Sequence, residues 1–419
     1  MSEDGRRIVR CYSQDGKDRR DLDVSILKTP EALREAMIAA LVARTAPGAG
    51  LTSTHSFEGV YRILVSFDRY LSQLAVVPQS LAEVGAEHFD GFHDDREAAG
   101  FKSIRWQLAE LRRLLVRANG ISAPLAARLA KPLPPLPPTN PSHSYTRTEL
   151  KRIAEAARAT LRSAERRIRA HRELLDQFRA GDLDVSTDLD LRRRLEILDH
   201  LDRVGDVPRR DRNCGKGVYN APEVWVMLRG RIKDIVGWLY LTPQEIAAAA
   251  VLFAVMTGQN PDVIRTMPAA HHRADGATGA AGTAIVGLRK PRGGRRAYMD
   301  LALSEVPDWI SVPDQPAELS TRDTLHTPFG LYVLVHDLTA PARRFAGGDR
   351  LLVAYMSAGG GRSLKGRGWR AMPLNGTLVS DLGRTWNLAS EEMDAEGRAL
   401  PMRPLRLETL RMTYIELHQ

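Results

Sequence analysis

Basic side chains recur at helical spacing in two stretches of the sequence. The first set is Lys102, Arg105 and Arg112. The second set, spaced by four, four and three residues, is Arg158, Arg162, Arg166 and Arg169. Residues three or four apart lie on the same face of a helix, so each set would form a row of positive charge. Such a row either contacts phosphate groups or is an ordinary solvated face, and the spacing alone favours neither.

A third basic cluster lies between two strand-like runs, residues 284–288 and 297–303. The intervening residues read RKPRGGRR, in which Lys290 is flanked by Arg289, Arg292 and Arg295. Two short apolar runs that flank a glycine-containing turn predict a β-hairpin, here with a basic tip.

The overall charge agrees with a polyanionic partner. The formal net charge is +9, and arginine, whose planar fork suits phosphate, outnumbers lysine. An arginine-rich composition of the kind that a high-GC genome produces is the alternative explanation. We find no run of eighteen apolar residues and no signal peptide, which predicts a cytoplasmic protein without a membrane span. The two cysteines, Cys11 and Cys214, suit a reducing compartment and form no zinc-binding spacing.

The length of 419 residues predicts two or three domains. Residues 1–50 read as an N-terminal segment with a short strand and a helix that Thr29 would cap, with Pro30 at its first position. Residues 51–130 carry apolar stripes of several helices, and residues 131–143 form a proline-rich linker. Beyond the linker, capping-box patterns at residues 146–149 and 242–245 begin two helices. Further helices are predicted over 188–204, after Thr327 and from residue 405 onward.

The order of these parts resembles the tyrosine recombinases, also called phage integrases. Residues 146–157 look like the opening helix of that family's catalytic domain, and an apolar helix ends at Thr257-Gly258 as the family's does before its first catalytic arginine. The hairpin with Lys290 and the last helix with Arg411 complete the match, which spans residues 50 to 419. The resemblance implies a mainly α fold with a small β-sheet. It places a helical, SAM-like core-binding domain at 51–130 and a mixed α/β catalytic-type integrase domain at 144–419.

The resemblance also implies a chemistry. A tyrosine hydroxyl attacks a DNA phosphodiester, two arginines neutralise the phosphate oxygens, and a lysine protonates the leaving group, with no metal and no cofactor. Arg411 matches the second arginine and Lys290 the hairpin lysine, although Arg289, Arg292 and Arg295 could take the lysine slot or simply hold phosphates. Glu408 stands in the histidine slot and Asn260 in the slot of the first arginine. Arg265 could replace that arginine, or residues 259–262 could simply cap the next helix.

The nucleophilic tyrosine of the family should follow Arg411 by several elements, and only eight residues follow it here. We therefore expect the catalytic-type domain to be incomplete at its C-terminus and the chain to be inactive as it stands. Tyr298, Tyr332, Tyr355 and Tyr414 are interpreted as packing residues.

Two functions stay open. One is site-specific DNA recombination and integration, and the other is non-catalytic architectural or regulatory DNA binding. Double-stranded DNA is the expected partner, with self-association on DNA an open expectation. Neither a membrane nor a nucleotide cofactor is expected, because the glycine-rich residues 359–368 lack the P-loop register.

Overall fold

The computed structural model describes residues 6–13, 19–101, 103–133, 143–213, 218–271, 283–289, 298–304, 324–356, 368–374, 376–394 and 396–418. Contacts divide the chain near residue 141 into two compact units. The N-terminal unit contains the described residues up to 133. The C-terminal unit contains those from 143 onward.

The N-terminal unit is a helical cluster with one hairpin. Strands β1 (Ile8–Tyr12) and β2 (Arg19–Asp23) pair antiparallel. Five helices follow: α1 (Glu31–Thr45), α2 (Thr54–Leu71), α3 (Ala86–Ala98), α4 (Ile104–Leu115) and α5 (Ala123–Ala130). The apolar stripe predicted near residues 56–74 is the buried face of α2, and Ser53 caps that helix. Strand β2 was not predicted, because its sequence RRDLD has almost no apolar side chains.

The start of α1 differs from the prediction by one residue. Pro30 is the N-cap and makes no side-chain cap hydrogen bond. Thr29 instead donates from Oγ1 to the buried carboxylate of Asp68, at 2.7 Å. That carboxylate also accepts the backbone N–H groups of Lys28 and Thr29. A buried charge needs such donors, so Thr29 is used to satisfy Asp68 rather than to cap α1.

Residues before 50 pack into the same core as the helices that follow. Cys11, Leu22, Met37 and Leu41 are buried together with the apolar faces of α2, α3, α4 and α5. The segment predicted over residues 1–50 and the helices after it therefore share one hydrophobic core. The other predicted boundaries stay predictions.

The described part of the C-terminal unit contains helices of very different lengths and four antiparallel strand pairs. Its helices are α6 (Arg147–Ala180), α7 (Leu189–Val204), α8 (Val224–Met227), α9 (Ile232–Val236), α10 (Pro243–Thr257), α11 (Pro261–Arg265), α12 (Pro328–Ala346), α13 (Gly376–Trp386) and α14 (Leu407–His418). Its strands pair antiparallel as β3 (Arg209–Asn213) with β4 (Val218–Pro222), β5 (Thr283–Arg289) with β6 (Tyr298–Ser304), β7 (Val353–Met356) with β8 (Gly368–Ala371), and β9 (Ala389–Met393) with β10 (Ala399–Pro401).

Helix α10 forms the centre of this unit. Every residue from Glu245 to Ala254 is buried, and α6, α12, α13 and α14 all pack around it. Its run of four alanines lets these neighbours approach closely on several sides, which a larger side chain would prevent. A helix that is apolar all round is expected to be buried in this way.

Both predicted capping boxes are present, at Thr146–Glu149 and at Thr242–Glu245. The first is also joined to distant parts of the unit. Glu149 Oε1 accepts a hydrogen bond from Ser390 Oγ at 2.6 Å. The backbone N–H of Tyr145 donates to Thr413 Oγ1 at 2.9 Å. The beginning of α6 is thus bound to β9 and to α14.

The predicted fold class, mainly α with small β-structure, is confirmed. The β-structure differs in detail, because the described residues form five separate two-stranded antiparallel sheets instead of one small sheet. The predicted hairpin strands correspond to β5 and β6. No helix in the described ranges combines the length and the apolar character that crossing a membrane requires.

Candidate nucleic-acid interface

The end of α10 contacts α14 through a glycine. Gly258 caps α10 in the left-handed conformation, with φ +59°. A Cβ at this position would lie 2.2 Å from Tyr414 Cδ1, so the tyrosine ring rests directly on the glycine backbone. Tyr414 also stacks on His418 with ring centroids 4.1 Å apart. Tyr414 is therefore a packing residue, as the sequence predicted.

Arg411 lies one turn before Tyr414 on α14. The core face of this helix consists of Leu407, Leu410 and Thr413, and Arg411 next to it is half-buried. Its Nε is buried and has no hydrogen-bond partner among the described residues. The Nε atoms of Arg44, Arg194 and Arg210 are in the same state, so this atom by itself does not mark an anion site.

The slot of the first arginine is occupied by a helix cap. Asn260 Oδ1 accepts the backbone N–H of Asp262 at 3.0 Å and begins α11. Arg265, the predicted substitute, forms an ion pair with Asp262 at 3.0 Å. The capping alternative therefore accounts for the Asn260 side-chain oxygen, and the charge of Arg265 is balanced within its own helix.

Glu408 occupies the first turn of α14 and is exposed. A carboxylate at this end of a helix is favoured by the helix dipole, which gives Glu408 a structural reason to be there. It forms no ion pair with a described residue. Its position gives no sign that it replaces the histidine of the family.

The arginine row on α6 divides into two halves. Arg158 Nε donates to the carbonyl of Leu325 at 3.1 Å, and burial, followed by the nearby Arg162, lowers the pKa of Arg158. Arg162 is half-buried. Arg166 and Arg169 are exposed, and Arg169 pairs with Glu165 at 2.7 Å. Only the second half of the row is therefore at the surface.

The other basic candidates are only partly described. Arg105 is exposed on α4. Arg112 is half-buried and donates to the carbonyl of Lys131 at 3.3 Å. Arg289 ends β5, but its side chain is outside the described residues. Four further candidates lie wholly outside the described residues: Lys102, Lys290, Arg292 and Arg295.

A cluster on α12 was not predicted from the sequence. Tyr332 is buried and donates to the carbonyl of Ala269 at 2.8 Å. Arg343 donates to His336 Nε2 at 3.1 Å, and His271 Nδ1 lies 3.4 Å from the Tyr332 hydroxyl. The only sequence signal was the spacing of Tyr332, His336 and Arg343, which places them on one face of a helix.

Burial sets the protonation of this cluster. It raises the pKa of Tyr332 to about 12, the opposite of what a nucleophilic hydroxyl requires. Burial, with Arg343 and His271 adding to it, lowers the pKa of His336. Tyr355 is likewise buried, donates to Asp206 at 2.7 Å and has a raised pKa, chiefly because of burial. Tyr332 and Tyr355 are thus packing residues, whereas the side chain of Tyr298 is outside the described residues.

One group of potential metal ligands occurs in the described chain. His93, Asp94 and Glu97 bring their ligand atoms within 4.8 Å of one another on the surface of α3. His93 Nδ1 is already 2.9 Å from Asp94 Oδ1. Exposed acidic groups of this kind are common without an ion, so they assign no metal.

Comparisons with known proteins add little. No family model matches the sequence, and no curated protein matches it. Among solved structures, the XerH site-specific recombinase bound to a palindromic difH substrate, in a post-cleavage complex, is 11% identical with a TM-score of 0.36. The alignment covers 91% of this chain and 73% of that chain. A likeness this weak leaves the assignment of function to the chain's own residues.

Proposed function

We propose that this chain binds duplex DNA and is built on the tyrosine-recombinase plan. A protein with the full set of catalytic groups of that family cuts and rejoins DNA at specific sites through a phosphotyrosine intermediate. The observation that carries the proposal is the junction of α10 and α14, where the Thr257-Gly258 turn packs against the helix of Arg411. These two elements carry the arginine slots in the family that the sequence resembles.

The electrostatics of the junction support an anionic ligand. Arg411 is half-buried on α14, and its buried Nε has no acceptor in the described chain. A phosphate group near the guanidinium would balance its charge. The net charge of +9 would attract the DNA backbone over a longer range.

Non-catalytic DNA binding is the second candidate, and specific observations favour it. Asn260 is used as a helix cap and brings no charge to the first arginine slot. Glu408 is exposed in the histidine slot. Described tyrosines Tyr332, Tyr355 and Tyr414 are engaged in packing. An architectural or regulatory protein needs no catalytic groups at these positions.

Salt-dependent binding to a labelled DNA duplex tests the shared part of both candidates. We expect affinity to fall steeply as salt rises, because each neutralised phosphate releases counterions. Arg411→Ala should weaken binding about tenfold and reduce the slope against log salt by about one. The matched control is Arg384→Ala, since Arg384 is 73% exposed on α13 and paired with Asp381. No duplex binding at low salt would refute the proposal.

Cleavage of nicked suicide substrates tests whether this chain itself forms a covalent link to DNA. In such a substrate a short DNA fragment diffuses away after cleavage. The strand then cannot be rejoined, and the phosphotyrosyl link is trapped. A covalent adduct between this chain and DNA would favour the strand-exchange enzyme. Salt-dependent duplex binding without an adduct is the result that we expect of this chain.

A further inference from the structure

A groove with exposed aromatic rings crosses the surface of the N-terminal unit. It has a volume of about 590 Å³ and is lined by α2, the end of α3 and the start of α4. Trp106 is 52% exposed and Phe101 is 41% exposed, both in its wall. Rings of this size are normally buried, and two of them open to one concavity indicate a binding surface.

The Trp106 ring is held in place by the backbone of α2. Gly59 lies beneath it, and a Cβ there would be 3.2 Å from Trp106 Cη2. The absence of a side chain at Gly59 lets the ring edge approach the helix closely. The ring is therefore positioned by packing at its edge while half of its surface stays accessible.

A cation lies over one of the two rings, and another lines the same groove. The Arg96 guanidinium lies 3.6 Å from the centroid of Phe101. Arg96 Nε donates to Gln107 Oε1 at 3.0 Å, and Gln107 Nε2 donates to Ser103 Oγ at 3.0 Å. This chain of contacts fixes Arg96 in the groove. Arg69 is exposed in the same lining and has no ion pair within the described residues.

The carboxylate in the lining does not cancel this charge. Glu58 forms an ion pair with Arg62, and Arg20 approaches it at 2.7 Å. Its single negative charge is thus shared by two arginines. The groove as a whole combines open aromatic surface with excess positive charge.

We propose that this groove binds an unpaired nucleotide of a DNA strand. The base stacks on Trp106, and the adjoining phosphate faces Arg69 and Arg96. Stacking of bases on aromatic side chains beside cations is how proteins hold single strands without reading their sequence. The proposal rests on DNA binding by the chain. It adds that the strand bound here is unpaired rather than duplex, and that it binds in this groove.

The test compares two labelled strands that differ only in their bases. One is a short oligothymidylate, and the other is an abasic strand of equal length and equal charge. Fluorescence anisotropy with the full chain measures both affinities. We expect Trp106→Leu to weaken oligothymidylate binding about tenfold and to leave abasic binding unchanged. Trp106→Phe, which keeps a ring, should retain most of the affinity.

Tyr12→Leu is the matched control, because Tyr12 is also 52% exposed in the N-terminal unit but does not line the groove. It should change neither affinity. Unchanged oligothymidylate binding by Trp106→Leu, or an equal loss on both strands, would overturn the proposal. Competition by polyglutamate as effective as competition by oligothymidylate would assign the groove to an acidic peptide and would also overturn it.

Duplex binding measured on the same variants keeps the two proposals separate. Retained duplex binding by Trp106→Leu together with weakened oligothymidylate binding supports the groove as a second site. If the wild-type chain binds the single strand through Trp106 but binds no duplex, the recombinase-type proposal fails and the groove proposal stands.

Discussion

Replacing Gly258 by alanine tests the junction that carries the proposed function. Two separate costs are expected. The first is backbone strain, because φ is +59° and an L-residue with a side chain loses about 1–2 kcal/mol in the left-handed region. The second is a clash, because the added Cβ would lie 2.2 Å from Tyr414 Cδ1 and 2.6 Å from its Cε1. The ring must then move by about 1.2 Å or more to reach ordinary contact distance, and overpacking of this kind costs about 1–3 kcal/mol.

Gly347 provides a matched control. It also ends a helix in the left-handed conformation, with φ +64°, and nothing lies within 4 Å of its would-be Cβ. Gly347→Ala should therefore show the backbone cost alone, about 1–2 kcal/mol. Gly258→Ala should lower the free energy of unfolding by about 2–5 kcal/mol, the sum of both costs. Adding Tyr414→Ala to Gly258→Ala should recover the part that comes from the clash.

Urea unfolding followed by tryptophan fluorescence measures these differences. Five of the six tryptophans follow residue 142, so the signal reports mainly on the C-terminal unit. Equal destabilisation by Gly258→Ala and Gly347→Ala would refute the contact between α10 and α14. The contact would also be refuted if the effects of Gly258→Ala and Tyr414→Ala on stability were additive, because residues in contact should show a coupling energy.

Two further predictions concern stability. Glu110→Ala should destabilise the N-terminal unit by about 3–5 kcal/mol, because it leaves Arg44, its partner at 3.0 Å with 6% side-chain exposure, as an unpaired buried charge. Glu35→Ala, which breaks an exposed pair with Arg7, should be much less destabilising, because solvent screens an exposed pair. Urea unfolding followed by far-UV circular dichroism, which reports on the helices of both units, measures the two variants, and similar losses for both would contradict the burial argument. Burial lowers the pKa of His171 below 6.5, and the neighbouring Arg194 also lowers it. As the pH drops below 6.5, this histidine therefore takes up a proton in the unfolded chain before it does so in the folded chain, and the stability of the protein should fall. Thermal unfolding of wild type and His171→Gln between pH 7 and 5.5 checks this, and an unchanged pH dependence in the variant would exclude His171 as its source.

The helices could largely be predicted because their signals are local. The capping boxes at Thr146 and Thr242 and the apolar stripe of α2 each lie within a few turns of chain. Helix α7 begins at Leu189 with Asp188 as its cap, close to the predicted start. In contrast, β3 and β9 carry mostly charged or polar side chains, RRDRN and ASEEM. Pairing with a neighbouring strand, which the local sequence does not encode, makes them strands.

The candidate site could be predicted less well. The family resemblance predicted that Arg411 and the Thr257-Gly258 turn belong to one site, and this stays a prediction. The sequence could not decide whether Asn260 binds a ligand or caps α11. That depends on the direction of one side-chain oxygen. The groove at Trp106 was missed for another reason. Trp106 and Gly59 are 47 residues apart in sequence, and only the packing of α2 against α4 brings them together.

The hydrogen bonds that join the beginning of α6 to the far part of the C-terminal unit have a consequence for biosynthesis. Tyr145 and Thr413 are 268 positions apart, and Glu149 and Ser390 are 241 apart. Contacts of such sequence separation close late and slow folding. Helix α6 leaves the ribosome long before Ser390 and Thr413 are translated. The C-terminal unit therefore completes its fold only after nearly all of it has been synthesised, and until then the nascent chain exposes apolar faces of α6 and α10 to chaperones.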